Sequence, residues 1–319
     1  MTQYIIRRIL WGILLLVIVC ALTFVFFRVI PTGNPAVLRA GRDPQKHLIQ
    51  EIEKVLGLNK PLIVQFWDYL KEVLLHFNFG YSYYSQESVL HLIGERLPAT
   101  ISLTVGAAFL WIVGGISIGI ISALRRHSLL DRASMGAALL LISAPEFWLG
   151  LVVLFLFAED IGKFKILPGA GSYTPISVDP WKWFTALIMP WFVLASTGAA
   201  IYARLMRGSL IETMKEDYIR TARAKGLPER RVVQQGVRSS INPIVTLLPL
   251  EIGLLLGGAV LVETVFNIPG VGRLAYESII DEDYSVIQGT VLLASMFIIL
   301  ANIVVDILYA YLDPRVRYS

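Results

Sequence analysis

Residues 9–27 read "ILWGILLLVIVCALTFVFF" and contain no charged side chain. An uncharged apolar run of this length is close to the roughly 20 residues that a helix needs to cross a bilayer. Arg7 and Arg8 precede it, as they would in a secretory signal. The run is longer than the apolar core of a typical signal peptide, however, and no A-x-A cleavage site follows closely. We therefore expect a retained first membrane span.

The whole chain shares this character, because 55% of its 319 residues are hydrophobic and only 16% are charged. A soluble domain carries about 25% charged residues. Backbone groups inside lipid must be satisfied within their own segment, so apolar runs of this length predict helices. The sequence predicts an all-α integral membrane protein with six transmembrane helices, at approximately 9–30, 98–124, 133–158, 184–203, 244–265 and 287–312.

Prolines and glycines within these runs carry local predictions. Pro98 is expected to open the second span, where a missing N–H costs little, and Pro145 to kink the third. Glycines four residues apart let two helices approach closely. We expect such packing at two pairs, Gly115 with Gly119 and Gly253 with Gly257.

The distribution of charge along the short connections predicts the orientation. Residues 204–243 hold nine Lys or Arg against four acids, and 125–132 hold three Arg against one acid, whereas 266–286 hold one Arg against four acids. The positive-inside rule therefore places both termini and the two basic loops in the cytoplasm. The long segment 31–97 is then external, and loops of that length do not determine topology.

Three features are expected inside the external segment. "LIQEIEKVLGL" (48–58) and "PLIVQFWDYLKEVLLHF" (61–77) have the periodicity of short amphipathic helices. "FNFGYSYYSQ" (77–86) is typical of an aromatic turn. We therefore predict a helical cap in this region, and not a linker.

The basic loop contains "RTARAKGLPERR" (220–231). Ser209 and Glu212 have the S-x-x-E spacing of a capping box, which predicts a helix over 210–225 with Leu210, Met214, Tyr218 and Ala222 on one face. Gly226 is suited to the position after a helix end, and Pro228 to the start of the next helix. The pattern predicts helix, corner, helix, with a small and basic tip that fits a cleft in a soluble partner. The alternative is a loop that serves only as an orientation signal beside anionic lipid.

Residues with the chemistry of an enzyme are sparse. Cys20 is the single cysteine, the four histidines lack HExxH spacing, and no G-x-x-x-x-G-K-[ST] loop is present. We predict no metal site and no catalytic residue. Glu146 and Glu251 are predicted at membrane depth, where they either line a pathway or form interhelical hydrogen bonds. Glu263 and Asp306 are expected nearer the two interfaces.

The segment "FNIPGVGR" (266–273) is expected to form a tight external turn. A second hypothesis assigns it a contact with a gate or with an external binding protein. The candidate contact residues are Glu263, Asn267, Pro269 and Gly270.

"DYIRTARAKGLPERRVVQQGVRSSINPIV" (217–245) resembles the cytoplasmic loop of permease subunits of binding-protein-dependent ABC importers, in the dipeptide, oligopeptide and nickel branch. In that family the loop carries the EAA motif and forms a coupling helix that sits in a groove of the ATP-hydrolysing subunit. The similarity continues in "SAPEFWLGLVVLFLFA" (143–158), "LLGGAVLVETVFNIPGVGRL" (255–274) and "LDPRVRY" (312–318). At the E-A-A positions this chain has Arg220, Thr221 and Ala222, so that only the last Ala and Gly226 match the general pattern. Glu251 stands where an uncharged polar residue is expected.

The resemblance implies a type I ABC importer-like transmembrane domain over 1–319, with an external helical segment at 31–97 and a coupling loop at 204–243. It implies a non-catalytic subunit of the bacterial or archaeal cytoplasmic membrane. Its coupling residues would be Arg220, Thr221, Ala222, Arg223, Ala224, Lys225, Gly226 and Leu227.

The implied partners are a second permease subunit, two cytoplasmic ATP-binding subunits, an external solute-binding protein and the lipid bilayer, with no nucleic acid. No cofactor is expected on this chain, because ATP and magnesium would bind the partner ATPase subunits. Short peptides are the expected substrates, and nickel complexes, glutathione or another small solute remain open. A stand-alone secondary transporter and an intramembrane enzyme are further alternatives, although no inverted repeat or nucleophile–base pair is evident.

Overall fold

The computed structural model describes residues 2–29, 36–37, 46–55 and 59–312. The helices in this part of the chain are α1 Thr2–Phe24, which continues as a π-helical turn Val25–Val29, α2 Lys46–Val55, α3 Leu62–His76, α4 Val89–Leu124, α5 Leu129–Ser143, α6 Glu146–Phe157, α7 Pro180–Thr213, α8 Asp217–Ala224, α9 Glu229–Ser240, α10 Asn242–Val265, α11 Val271–Ile280 and α12 Tyr284–Leu312. Their only β pairing within the described ranges is two isolated bridges. The all-α prediction is confirmed.

Several of these helices have the length and apolarity of membrane spans. Four qualify individually over Ile6–Phe27, Val89–Leu124, Pro180–Thr213 and Tyr284–Ile303, and α5 with α6 qualify together as a bent pair. The predicted span 244–265 coincides with α10, but eleven of that helix's 24 side chains lie outside the described residues. The described part of the chain thus contains four spans, or five with the bent pair, and the total of six stays a prediction.

Pro98 does not start a helix as predicted, and Pro145 bends the third span more strongly than predicted. Pro98 lies inside α4, because the helix already begins at Val89, where the Ser88 hydroxyl accepts a hydrogen bond from the His91 N–H at 3.2 Å. Pro145 separates α5 from α6, and the direction of the chain bends by 114° between the two helices. Ala144, which precedes the proline, is extended at φ −85° and ψ 127°, as sterics before proline require. The predicted kink in one span is therefore a full break.

The chain divides into two compact units, residues 1–97 with 271–319, and residues 98–270. In the first unit, Asp283 just before α12 holds the aromatic turn, accepting hydrogen bonds from the Ser82 hydroxyl at 2.5 Å and the Tyr83 N–H at 3.1 Å. The predicted aromatic turn and the two short helices predicted within 31–97, α2 and α3, are confirmed. The assignment of 1–319 to a single domain stays a prediction.

The second unit is built around α7, against which α4, α5, α6 and α10 pack. Helix α7 begins at Pro180, before the predicted residue 184, because the Asp179 side chain accepts from the Trp181 and Lys182 N–H groups. The Lys182 backbone hydrogen bond is the main reason that the pKa of Asp179 is lowered.

Glycines bring α4 and α7 together as the sequence predicts. A Cβ built on Gly115 would lie 2.8 Å from the Ala199 carbonyl oxygen, and one on Gly119 would lie 2.6 Å from the Met206 Cβ. Backbone approach this close is open only to glycine. The second pair, Gly253 and Gly257, lies outside the described side chains.

Candidate functional site

Helices α8 and α9 of the basic loop, residues 217–240, form a folded projection on the end of α7. Helix α7 continues to Thr213, so Ser209 and Glu212 lie in its last turns, and the predicted capping box at a helix start is wrong. Burial explains the extension, because Met206 and Leu210 have no exposed surface and hold the helix in the core. A new helix, α8, then starts after Glu216, so Tyr218 does not continue the predicted face with Leu210 and Met214, and it is 45% exposed.

The corner after α8 is a Schellman motif. Gly226 has a φ of +76°, its N–H donates to the Arg223 carbonyl at 2.9 Å, and the Leu227 N–H donates to the Ala222 carbonyl at 3.3 Å. Pro228 is extended and immediately precedes α9. The predicted helix, corner, helix is therefore confirmed, with the first helix shorter than expected.

An ion pair bridges the corner from outside. The Arg223 guanidinium donates two hydrogen bonds to the Glu229 carboxylate, from Nη2 at 2.8 Å and from Nε at 3.2 Å. The hydrogen bond from Arg223 lowers the pKa of Glu229, and the same bond raises the pKa of Arg223. Both groups are exposed, so water screens the pair and its contribution to stability is small.

Beneath the corner, Ile219, Ala222 and Val232 form a small buried cluster, with Met214 and Leu227 packed against it. Helix α9 also rests directly on the end of α7. A Cβ built on Gly236 would lie 2.8 Å from the Met214 sulfur and 3.3 Å from the Leu210 Cδ1. The projection is therefore attached to the end of α7 by close packing.

The eight predicted coupling residues lie together on this projection. Two of them face inward, since Ala222 is buried and Leu227 is half-buried. The exposed members are Arg220, Thr221, Arg223, Ala224, Lys225 and Gly226. The surface that they form combines small side chains with three cations. Such a surface allows close approach by another protein.

The turn after α10 has a similar C-terminal motif. Asn267 has a φ of +54°, and the Ile268 N–H donates to the Glu263 carbonyl at 2.8 Å. The Glu263 side chain is fully buried, accepts a hydrogen bond from the Thr100 hydroxyl at 2.6 Å, and lies directly against Gly270. Asn267 and Pro269 are exposed. The tight-turn prediction is confirmed for 266–270, whereas 271–273 already belong to α11.

The two proposed pathway residues lie on different helices. Glu146 is half-buried and is the first residue of α6, directly after the break at Pro145. Glu251 belongs to α10, and its side chain lies outside the described residues, as does that of Asp306 in α12. Within the described ranges, no three His, Cys, Asp or Glu side chains gather in the manner of a metal site.

The ion pair between Asp131 and Arg207, in the unit formed by residues 98–270, was not predicted from the sequence. Asp131 is 3% exposed and accepts hydrogen bonds from Arg207, from the Ser122 hydroxyl at 2.5 Å and from the His127 N–H at 2.9 Å. It ties the ends of α4 and α7 to the start of α5. A signal was present, because Ser128 and Asp131 have S-x-x-D capping spacing and the Ser128 hydroxyl does accept from the Asp131 N–H.

Several membrane-length helices, combined with a folded basic projection at the end of one of them, define a helical integral membrane protein with a basic surface that another protein can approach. Comparison with known proteins gives the family. Residues 115–318 match the model described as the binding-protein-dependent transport system inner membrane component, and residues 1–104 match the model for the N-terminal part of such membrane components. The chain belongs to this family.

Similar proteins extend over its whole length. A protein named "Putative peptide transport system permease protein" from Brucella abortus is 39% identical over 320 residues, covering 100% of both chains. The glutathione transport system permease protein GsiC is 40% identical with the same full coverage in Salmonella typhimurium and in Salmonella typhi. The chain is thus a permease subunit of a binding-protein-dependent ABC importer and a multi-pass protein of the cytoplasmic membrane. A permease subunit of such a system has an ATPase and a binding protein as partners.

Proposed function

We propose that this chain forms half of the translocation pathway of an ATP-driven importer of short peptides. The folded projection at Asp217–Ser240 carries the proposal, because a chain of this family needs a rigid element through which a partner ATPase can move its helices. Peptide uptake is supported by the name of the Brucella relative. Glutathione is the second candidate substrate, and it is supported by the names of the Salmonella relatives.

The proposed topology has six spans with both termini in the cytoplasm. Four single spans, the bent pair of α5 and α6, and the 24-residue helix α10 together supply six crossings. The excess of Lys and Arg in 125–132 and 204–243 supports the cytoplasmic side for both loops. The segment 31–97 then lies outside, where a solute-binding protein docks.

In the proposed mechanism this chain hydrolyses nothing and binds no cofactor. Two partner ATPase subunits hold ATP and magnesium and close upon binding them, and the exposed tip at 220–227 follows their motion. Packing at Gly236, Met214 and Leu210 transfers the displacement to α7, and the Asp131–Arg207 pair transfers it to α5. A second permease subunit completes the cavity, towards which Glu146 and Glu251 are proposed to point. Such coupling is an energetic statement that requires a functional measurement.

The turn at Glu263, Asn267, Pro269 and Gly270 has a proposed second role. Its two exposed members, Asn267 and Pro269, are proposed to contact the external binding protein or to lie beside the gate. The buried Glu263 and Gly270 then hold the turn in shape. In this assignment the four residues divide into contact residues and positioning residues.

Reconstitution of the complete transporter tests the proposed function. The full chain, a second permease, the ATPase subunits and the binding protein are placed in liposomes, and uptake of labelled dipeptides, longer peptides, glutathione and nickel is measured. We expect uptake of peptides that requires ATP and the binding protein. Uptake of glutathione alone selects the second candidate. ATP-independent uptake by this chain without its partners overturns the importer mechanism.

A further inference from the structure

A small groove lies between the ends of α4 and α7 and the corner that follows α8. Its volume is about 280 Å³. The lining has an apolar part and a charged part. The apolar residues are Ala123, Leu124, Leu210, Ile211 and Met214, and the charged residues are Arg126, Lys215, Arg223 and Glu229.

The groove lies at the ends of two membrane-length helices. Helices α4 and α7 end at Leu124 and Thr213, and Arg126 and Lys215 each follow two residues later. Most of the apolar lining belongs to the last turns of these helices. Helix α7 has 34 residues and is about 51 Å long, whereas the hydrocarbon core is about 30 Å thick, so the last turns of α7 extend beyond the core to the depth of phospholipid headgroups.

The charges of the rim are unbalanced. Glu229 is paired with Arg223 at 2.8 Å, which satisfies that cation. Neither Arg126 nor Lys215 forms an ion pair with any acid in the described part of the chain, and both side chains are exposed. Three cations against one acid give the rim a net charge of +2. Two uncompensated cations above an apolar wall are complementary to an anionic amphiphile.

We propose that this groove binds the headgroup of an anionic phospholipid. The phosphate lies between Arg126 and Lys215, and the glycerol lies along the apolar wall. A zwitterionic lipid fits less well, because it brings its own cation to a positive rim. The bound lipid bridges α4 and α7 beside the corner and anchors the base of the projection to the membrane surface. The proposal requires only membrane location and does not depend on the substrate or on the ATPase partnership.

Native mass spectrometry of the purified full-length chain provides the test. The protein is equilibrated in detergent with equal amounts of dioleoyl phosphatidylglycerol and dioleoyl phosphatidylcholine, and the retained lipids are counted. We expect retention of phosphatidylglycerol in clear excess. In the variant R126Q/K215Q the affinity for phosphatidylglycerol, taken from a titration of the lipid, falls about five-fold for each cation removed, or about 25-fold in total. Equal retention of the two lipids by the wild type overturns the proposal.

A matched control separates the groove from general surface charge. Arg125 in the connection after α4 and Arg132 in the first turn of α5 are exposed and do not line the groove. R125Q/R132Q removes the same net charge, and we expect it to retain phosphatidylglycerol as the wild type does. The charge-preserving variant R126K/K215R is expected to retain it as well. Loss of the lipid by either variant contradicts a site at this groove.

An acidic surface of a partner ATPase is the competing occupant. The same measurement on the assembled transporter distinguishes the two. We expect phosphatidylglycerol to remain bound in the assembled complex. If assembly releases the lipid and R126Q/K215Q instead weakens binding of the ATPase subunits, the groove is a protein contact and the lipid proposal is wrong.

Discussion

Arg207 on α7 holds the carboxylate of Asp131 on α5 with two hydrogen bonds, 2.6 Å from Nε and 2.9 Å from Nη2. The two side chains differ in exposure, at 4% for Asp131 and 26% for Arg207. Two further donors from the α4 end, the Ser122 hydroxyl and the His127 N–H, complete the environment of the carboxylate. The pair therefore joins three helices at the end where α7 carries the projection.

The asymmetry of this pair predicts unequal losses in the free energy of unfolding. R207Q leaves a buried carboxylate without its cation and should cost about 3 kcal/mol. D131N leaves a guanidinium that can reach water, and should cost about 1–2 kcal/mol. Thermal unfolding of the purified chain, followed by tryptophan fluorescence, ranks the variants. A double variant D131N/R207Q should lose less than the sum of the two, and equal losses for both single variants would contradict this account.

Three neighbouring glycines of α4 should respond differently to alanine. G115A and G119A place a Cβ within 2.8 Å of α7 and should destabilise the protein by about 1–3 kcal/mol through overpacking. Gly114 faces open space, so G114A is the matched control and should be neutral or slightly stabilising. Melting temperatures of the three variants provide the measurement, and a loss in G114A as large as in G115A would show that helix packing is not the cause.

Gly226 is constrained by its backbone angle and not by space, because no atom lies within 4 Å of the position of its Cβ. A valine must adopt a left-handed conformation at a cost of roughly 1–2 kcal/mol, whereas asparagine tolerates it. G226V should abolish peptide uptake and binding-protein-stimulated ATP hydrolysis in the assembled transporter, while membrane insertion persists. G226N should keep most of both activities. Normal uptake by G226V would refute coupling through this corner.

The effect of a substitution at Gly270 on stability should depend on Glu263, whose carboxylate lies directly against this glycine. The Cβ of G270A overlaps the Glu263 carboxylate, which must then leave its hydrogen bond with Thr100, at a cost of about 1–3 kcal/mol. E263A removes both the overlap and the hydrogen bond. The double variant E263A/G270A should therefore unfold at the same temperature as E263A alone. If the two losses simply add, the contact between these residues does not determine the shape of the turn.

Local signals in the sequence predicted the corner well. The left-handed angle of Gly226 and the extended Pro228 follow from the conformations open to those residue types, so neighbouring residues could not alter the prediction much. The close approach of α4 to α7 at Gly115 and Gly119 was also predictable, because the four-residue spacing places both glycines on the same face of α4. The grouping of the eight predicted coupling residues on one projection followed from these elements.

Other local signals were overridden by packing. The S-x-x-E spacing at Ser209 and Glu212 has the form of a helix start, but burial of Met206 and Leu210 extends α7 through it. Pro98 looks like a helix start as well, yet the cap at Ser88 begins α4 earlier. A short motif competes with the burial of a whole helical face, and the larger free energy determines the boundary.

The sequence by itself determined the membrane class, the positions of the apolar helices and the corner of the projection, because apolar length and backbone angle are properties of neighbouring residues. Only the tertiary structure decided which distant groups meet. Arg207 reaches Asp131 across 76 residues of chain, and Thr100 reaches Glu263 across 163. Arg126 and Lys215 share one groove for the same reason. Such pairs depend on how helices pack, which no periodicity along a single helix records.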